Sequence, residues 1–161
     1  MARRVFFSFH YDEDVWRANQ IRKCWVTQDR ESAGFFDSSL WEATKLRGDE
    51  AIKKMIRDGL ANTSVTAILV GAHTAGRKYI NYEIEHSNNV RRNGILAIRV
   101  NGLGDRFGNT APRGRNPLDE WTFTDTGKKF SEVYDTYDWV ADNGYQNCAT
   151  WFEKAARQAG K

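Results

Sequence analysis

The chain has few of the residues that cross-link small domains by disulfides or bind metals through sulfur. Its 161 residues include only two cysteines, two prolines and two methionines. Cys24 and Cys148 are too few for a disulfide framework and do not have the spacing of metal ligands. We expect both to be small buried hydrophobic residues, and we expect no metal site.

Long apolar runs and a strong charge of one sign are also missing. No run approaches the roughly 18 residues of a membrane span, and the first four residues lead into an apolar strand rather than a secretion signal. The net charge of +3, from 24 basic and 21 acidic residues, is too small to indicate nucleic acid or an anionic membrane as a partner. We therefore expect a cytoplasmic protein that binds neither.

The chain does have enough apolar residues, 40% of the total, to form one domain over residues 1–161. Strand-like runs alternate with amphipathic helix-like segments, which predicts an α/β fold with a parallel sheet of about five strands and helices on both faces. This is a flavodoxin-like architecture. The predicted strands lie at residues 5–11, 34–37, 65–71 and 95–100 and within 118–140, and the predicted helices begin at Asp12 or cover 49–60, 80–90 and 147–159.

The central strand and the helix after it contain the first site candidates. Residues 65–71, VTAILVG, form a continuous apolar run that is typical of a strand covered on both faces. The helix that follows carries Glu83 and Glu85 near its start. Because ligands of open α/β sheets lie beyond the carboxyl ends of the strands, one of these glutamates can face a cleft there. Successive helical residues turn by about 100°, so the two side chains point roughly 200° apart and only one can do so.

Polar residues also follow the first strand at the same edge of the sheet. Ser8, His10, Tyr11 and Asp12 are predicted to line the crevice beside the central strand. The acidic run 12–14 has a simpler explanation as well, because three acids at a helix start interact favourably with the helix dipole. The two interpretations are compatible.

Two further segments are predicted to be loops. Residues 38–48 are polar, and we expect a mobile lid that carries Trp41, although a loop tryptophan packs on the neighbouring surface more often than on a ligand. Residues 101–117 are rich in glycine and hold both prolines. The arginines of this second loop could contact a phosphate, but a solvated loop is the simpler interpretation.

Two common functions of this architecture do not fit the residues. A flavin carrier needs a small, hydroxyl-rich phosphate loop after its first strand, where this chain has His10 and Tyr11 followed by the three acids. A phospho-receiver needs an aspartate at the end of its third strand, where this chain has Gly71-Ala72-His73. Fold class alone does not decide among the remaining functions.

The sequence resembles a TIR domain over roughly its first 101 residues. The resemblance rests on VFFSF at residues 5–9, Phe36-Asp37, the apolar positions of the helix over 49–60, Thr63-Ser64, and YINYEI at residues 79–84. More narrowly, RRVFFSFHY together with YINYEIEHS is similar to the TIR-like subunit of bacterial Thoeris anti-phage systems. Where TIR enzymes commonly have Trp-Cys, this chain has Tyr79-Ile80.

The resemblance implies an enzyme that cleaves the nicotinamide–ribose bond of NAD and makes a cyclic ADP-ribose-type signal. NAD would be the substrate, with no cofactor or metal required, since nicotinamide is already a good leaving group. The implied partners are a downstream effector, reached through the nucleotide signal, and a phage-derived trigger. Self-association into a homo-oligomer is a further implication.

The same resemblance assigns roles to particular residues. Glu83 lies where TIR enzymes carry their glutamate, and a carboxylate there stabilises the oxocarbenium-like transition state. Ser8, His10 and Tyr11 would frame the nicotinamide end, with Asp37 and Trp41 on the lid side. His86, three residues after Glu83, could tune it by a hydrogen bond, although an ordinary helix histidine is the simpler interpretation.

A TIR module without catalytic activity is the alternative, and it would signal only by assembly with other TIR domains. The glutamate in the cleft favours the enzyme. A glutamate at a helix start can also serve the helix dipole, so the sequence leaves the alternative open.

Overall fold

A computed structural model describes residues 3–26, 31–33 and 38–161 of the chain. The strands are β1 (Arg4–Ser8), β2 (Glu31–Ala33), β3 (Val65–Val70), β4 (Gly94–Arg99) and β5 (Thr136–Asp138). The helices are α1 (Tyr11–Val26), α2 (Ser38–Leu46), α3 (Asp49–Leu60), α4 (Lys78–His86), α5 (Phe130–Val133) and α6 (Gly144–Gln158). None of the helices in the described ranges has the length and apolar character needed to cross a bilayer.

The five strands form one sheet in the order β2-β1-β3-β4-β5, and every pairing is parallel. This order is that of flavodoxin-like folds, so the predicted flavodoxin-like architecture is confirmed. The chain direction across the sheet reverses between β1 and β3, and in open α/β sheets the crevice at this switch point is where ligands bind. The sheet therefore places the ends of β1 and β3 at a natural binding site.

Side chains that alternate along the strands build a core on each face of the sheet. On one face, Phe7 and Leu69 pack with Ile21 of α1 and Phe152 of α6. On the other face, Phe6 packs with α3, while the strand residues Ile68, Val70, Ile95 and Ala97 pack with Ile80 and Ile84 of α4. Because β3 lies in the middle, all six of its residues are buried, as its apolar run predicted.

The expectation of a mobile loop over residues 38–48 is wrong, because residues 38–46 form α2. Trp41 and Thr44, three residues apart, are both buried and give this helix its inner face. The Thr44 hydroxyl contacts the Met55 sulfur of α3 at 3.6 Å. The segment has few apolar residues, so its helical character depends on the surface it packs against rather than on its own periodicity.

Most other predicted elements are confirmed with shifted ends. Helix α3 has the predicted bounds, and residues 101–116 contain no helix or strand. Helix α4 continues into a single π-type turn, Ser87–Arg91, and α6 begins three residues before its predicted start. The strand predicted at residues 34–37 lies outside the described residues, and the short α5 was not predicted.

Candidate active site

The centre of the candidate site joins the end of β1 to the second turn of α4. Ser8 is the last residue of β1 and is fully buried, and Glu83 is 4% exposed. The Ser8 hydroxyl donates a hydrogen bond to Glu83 Oε2. These residues are 75 positions apart in the chain, so the parallel pairing of β1 with β3 and the packing of α4 bring them together.

The face that α4 buries decides which glutamate can act there. Ile80, Glu83 and Ile84 form its buried stripe at the spacing of one helical face, whereas Glu85 is exposed. Both isoleucines belong to the core beneath the helix. The predicted choice of Glu83 over Glu85 as the residue facing inward is therefore confirmed.

Burial changes the acidity of Glu83 strongly. Removal of its carboxyl from water raises the pKa to about 8, and the hydrogen bond from Ser8 opposes this only in part. At neutral pH most molecules therefore hold Glu83 protonated. A nearby positive charge would lower this pKa and favour the carboxylate.

Glu83 lines a cavity of about 330 Å³ at the carboxyl end of the sheet. Three segments contribute most of its wall: the end of β1 with the start of α1, helix α2, and the loop before α4 with its first turns. The lining residues are Phe9, His10, Tyr11, Asp12, Trp41, Lys45, Gly76, Arg77, Lys78, Tyr79, Ile80 and Glu83. The structure thus brings His10, Tyr11, Asp12, Trp41 and Glu83 together, and Ser8 reaches the cavity through Glu83.

Stacked aromatic rings form one wall of this cavity. The Tyr11 and Trp41 rings are nearly parallel, at 10°, with centroids 4.4 Å apart, and Tyr79 meets Trp41 edge to face at 6.1 Å. Trp41 is only 8% exposed, so it does not lie on a mobile lid as expected. Its ring packs on the protein, the alternative noted from the sequence, while still lining the cavity.

His10 is a buried polar side chain at the same wall. It is 7% exposed, and neither ring nitrogen has a hydrogen-bond partner within the described residues. Burial, together with the positive charge of Arg77, lowers its pKa, which favours the neutral imidazole. The His10 ring is therefore available to a bound group.

Three cations at the mouth of the cavity were not singled out from the sequence. Lys45 comes from α2, and Arg77 and Lys78 come from the loop and first turn of α4. Asp49, at the start of α3, accepts from Lys78 Nζ at 2.6 Å and from the Tyr79 hydroxyl at 2.9 Å. These bonds fix the start of α4, and the adjacent Arg77-Lys78 pair before a helix is the signal that could have found them.

Other predicted residues have different outcomes. Asp37 lies outside the described residues. His86 packs its ring against Tyr82 with centroids 5.9 Å apart, and no hydrogen bond joins it to Glu83 in the described part of the chain. The possible tuning contact is therefore not present among the described residues, and the simpler interpretation of an ordinary helix histidine fits the position of His86 along Tyr82. In the 101–117 loop, Arg115 pairs with Glu120 at 2.6 Å.

Comparisons with known proteins identify the family of the chain. The family described as "Thoeris protein ThsB, TIR-like domain" matches residues 6–105, which include the last three residues of β1, all of β3 and α4, and the whole cavity wall. A protein of Bacillus cereus (strain MSX-D12) named "Putative cyclic ADP-D-ribose synthase ThsB1" is 38% identical over 191 aligned positions. The alignment covers 94% of this chain and 99% of that relative.

Proposed function

The chain belongs to the Thoeris ThsB family of TIR-like proteins, and we propose that it cleaves the nicotinamide–ribose bond of NAD to form a cyclic ADP-ribose-type product. The observation that carries this proposal is the buried Glu83 carboxyl, held by Ser8 in a cavity at the switch point of the sheet. The name of the Bacillus cereus relative supports the same product class.

The cavity suits one half of a dinucleotide. Its volume of about 330 Å³ lies at the lower end of the range for small-molecule sites. Nicotinamide and its ribose would enter beside the Tyr11 and Trp41 wall, with one unpartnered nitrogen of His10 as a hydrogen-bonding group. The diphosphate would remain at the mouth, near Arg77 and Lys45, because anions are favoured beside cations and helix starts.

Glu83 supplies the electrostatic part of the reaction. As the ribose C1′–N bond breaks, its electron pair goes to the departing nicotinamide and positive charge develops on the ribose. A carboxylate beside that carbon stabilises the charge, as the carboxylates of glycosidases do. The pyridinium charge of bound NAD lowers the pKa of Glu83, so substrate binding itself favours the ionised form.

Cyclisation follows when a group of the same molecule attacks the ribose carbon. The attacking atom supplies the electron pair of the new bond and loses its proton, which the Glu83 carboxylate can accept. Nicotinamide leaves as a neutral molecule, so the bond cleavage requires neither a metal nor a further cofactor. The product would act on a downstream effector in the cytoplasm after a phage-derived trigger, with self-association as part of activation.

A scaffold without catalytic activity has less support from this site. Burying a carboxyl group disfavours its charged form, which is the physical origin of the raised pKa of Glu83. A surface glutamate would serve the helix dipole without that cost. The buried position makes sense when a cationic substrate uses the carboxylate.

The test is to incubate purified protein with NAD, with and without extract from phage-infected cells, and to identify products by mass spectrometry. We expect wild type and Glu85→Gln to release nicotinamide and an ADP-ribose product when triggered, and Glu83→Gln to be at least about 100-fold slower. Glu85 is exposed on the same helix and is the matched control. Equal activity of Glu83→Gln and wild type would contradict the assignment.

A further inference from the structure

A second group of polar side chains lies beside the cavity, where α1 begins. His10 precedes this helix and Glu13 and Asp14 lie in its first turn. Ligand atoms from these three residues lie within 4.8 Å of one another. His73, in the loop after β3, places Nδ1 at 3.0 Å from both carboxylate oxygens of Glu13. We propose that His10, Glu13, Asp14 and His73 bind a divalent transition-metal ion such as Zn²⁺.

Buried atoms without partners point to a bound group at this position. Both ring nitrogens of His10 and Asp14 Oδ2 have no hydrogen-bond partner among the described residues. His10 is 7% exposed and Asp14 is 1% exposed. Buried polar atoms in folded proteins are almost always satisfied. A metal ion would supply the missing partner to His10 and to Asp14 at once.

Two distances within this group can be compared with those of a metal site. Four tetrahedral ligands that each lie 2.0–2.1 Å from zinc are roughly 3.3 Å apart from one another. His10 Nδ1 lies 3.8 Å from Glu13 Oε2, and His73 Nδ1 lies 3.0 Å from the same atom. His10, Glu13 and Asp14 already form a compact group. His73 lies outside this group and would join the coordination shell through its contact with Glu13.

The ligand types select the class of metal. Two neutral imidazoles and two carboxylates offer two nitrogens and two oxygens with a total charge of −2, which balances a divalent ion. Nitrogen ligands favour Zn²⁺ and related transition metals, whereas Mg²⁺ and Ca²⁺ prefer oxygen alone. The spacing of the two cysteines gave no indication of a metal site, and the ligands proposed here include no cysteine.

Neighbouring residues hold the Asp14 carboxylate in place. Arg17 donates to Asp14 Oδ1 at 3.0 Å, which leaves Oδ2 for a metal. A Cβ at position 71 would lie 2.1 Å from Oδ2, so Gly71 leaves the space that this oxygen occupies. Hydrogen bonds to ligating carboxylates of this kind orient metal sites in general.

The role of the ion would be structural: it would hold two segments beside the cavity in place. It would join the start of α1, after β1, to the loop after β3, and these two segments flank the switch point of the sheet. His10 lines the cavity, so an ion on its Nδ1 would fix the ring that faces NAD. The ion takes no part in breaking the nicotinamide–ribose bond, and its binding can be measured without NAD.

The test is calorimetric titration of the full chain, free of any tag and treated with EDTA, with ZnCl₂. We expect one Zn²⁺ per chain. The variants Glu13→Gln and His73→Ala should bind Zn²⁺ at least roughly 10- to 100-fold more weakly. Glu85→Gln and His86→Ala, which remove the same groups from α4, are the matched controls and should bind as wild type does. MgCl₂ should give no comparable binding.

A second readout separates a specific site from weak surface binding. Zn²⁺ at about 100 times its Kd should raise the wild-type Tm by roughly 5 to 10 °C and leave the Tm of Glu13→Gln and His73→Ala nearly unchanged. Both replaced side chains are substantially exposed, at 41% and 70%, so these variants should fold normally. The absence of saturable Zn²⁺ binding to wild type, or equal binding by the two variants, would overturn the proposal.

Discussion

Replacing Glu83 by glutamine should stabilise the protein by an amount that grows with pH, while abolishing its activity. Burial raises the pKa of Glu83 from 4.5 to about 8 in the folded protein. Between these two values the folded state binds more protons than the unfolded chain. The free energy of unfolding of the wild type therefore falls as pH rises through this window. Glutamine has nearly the same shape and no charge, so the free energy of unfolding of Glu83→Gln should not fall with pH in this way.

The magnitude follows from the two pKa values. A shift of one pKa unit corresponds to 1.36 kcal/mol for a single group. The shift of Glu83 from 4.5 to about 8 therefore lowers the free energy of unfolding of the wild type by at most roughly 5 kcal/mol, a limit reached near pH 9. At pH 7 we expect Glu83→Gln to be more stable than wild type by about 3 kcal/mol, which is roughly 6 to 12 °C in Tm. Near pH 4 both side chains are neutral, and the two proteins should differ little.

The assay is urea unfolding of both proteins at pH values from 4 to 9. The other titrating groups are common to both, so the difference in free energy isolates Glu83. Glu85→Gln is the control, and because Glu85 is exposed its difference from wild type should stay within about 0.5 kcal/mol. A difference between Glu83→Gln and wild type that is independent of pH, or a loss of stability at pH 8, would refute the argument.

Three further predictions concern substrate turnover and the cavity wall. The kcat/KM for NAD should rise with pH and level off above an apparent pKa near 8, because the free enzyme must lose the Glu83 proton before it can react. A kcat/KM that stays constant from pH 6 to 9 would contradict this. Arg77→Ala should raise KM roughly 10-fold with little change in kcat, since a charged hydrogen bond to the diphosphate is lost. Arg106→Ala, in the 101–117 loop, is the control and should leave KM unchanged. An equal effect of both variants on KM would refute the contact between Arg77 and the diphosphate. In urea unfolding, Trp41→Ala should lower the free energy of unfolding by about 3 to 5 kcal/mol. Trp16→Ala, at an exposed position, should lower it by about 0.5 kcal/mol or less. Similar losses for the two variants would show that the aromatic wall is not packed as described.

Periodicity carried much of the fold prediction. The apolar run of β3 identified a strand buried on both faces. The amphipathic pattern identified α3, with Asp49 marking its start and Gly59 lying next to its end. Helix α2 was missed because it packs through few buried positions, such as Trp41 and Thr44, and such a short stripe has no periodic signal. A polar segment of this kind becomes a helix only when neighbouring elements cover its inner face.

The sequence by itself determined the order of the main strands and helices, apart from α2 and α5, and the edge of the sheet at which the candidate site lies. These depend on local spacing, which a chain records directly. Spacing also showed that only one of Glu83 and Glu85 can face the cleft, and the TIR resemblance selected Glu83. The tertiary structure alone decided that Ser8 would meet Glu83, that Trp41 would stack on Tyr11, and that His73 would meet Glu13. It also decided the pKa of Glu83, because removal from water depends on how α4 packs over the sheet and on no residue adjacent in the chain.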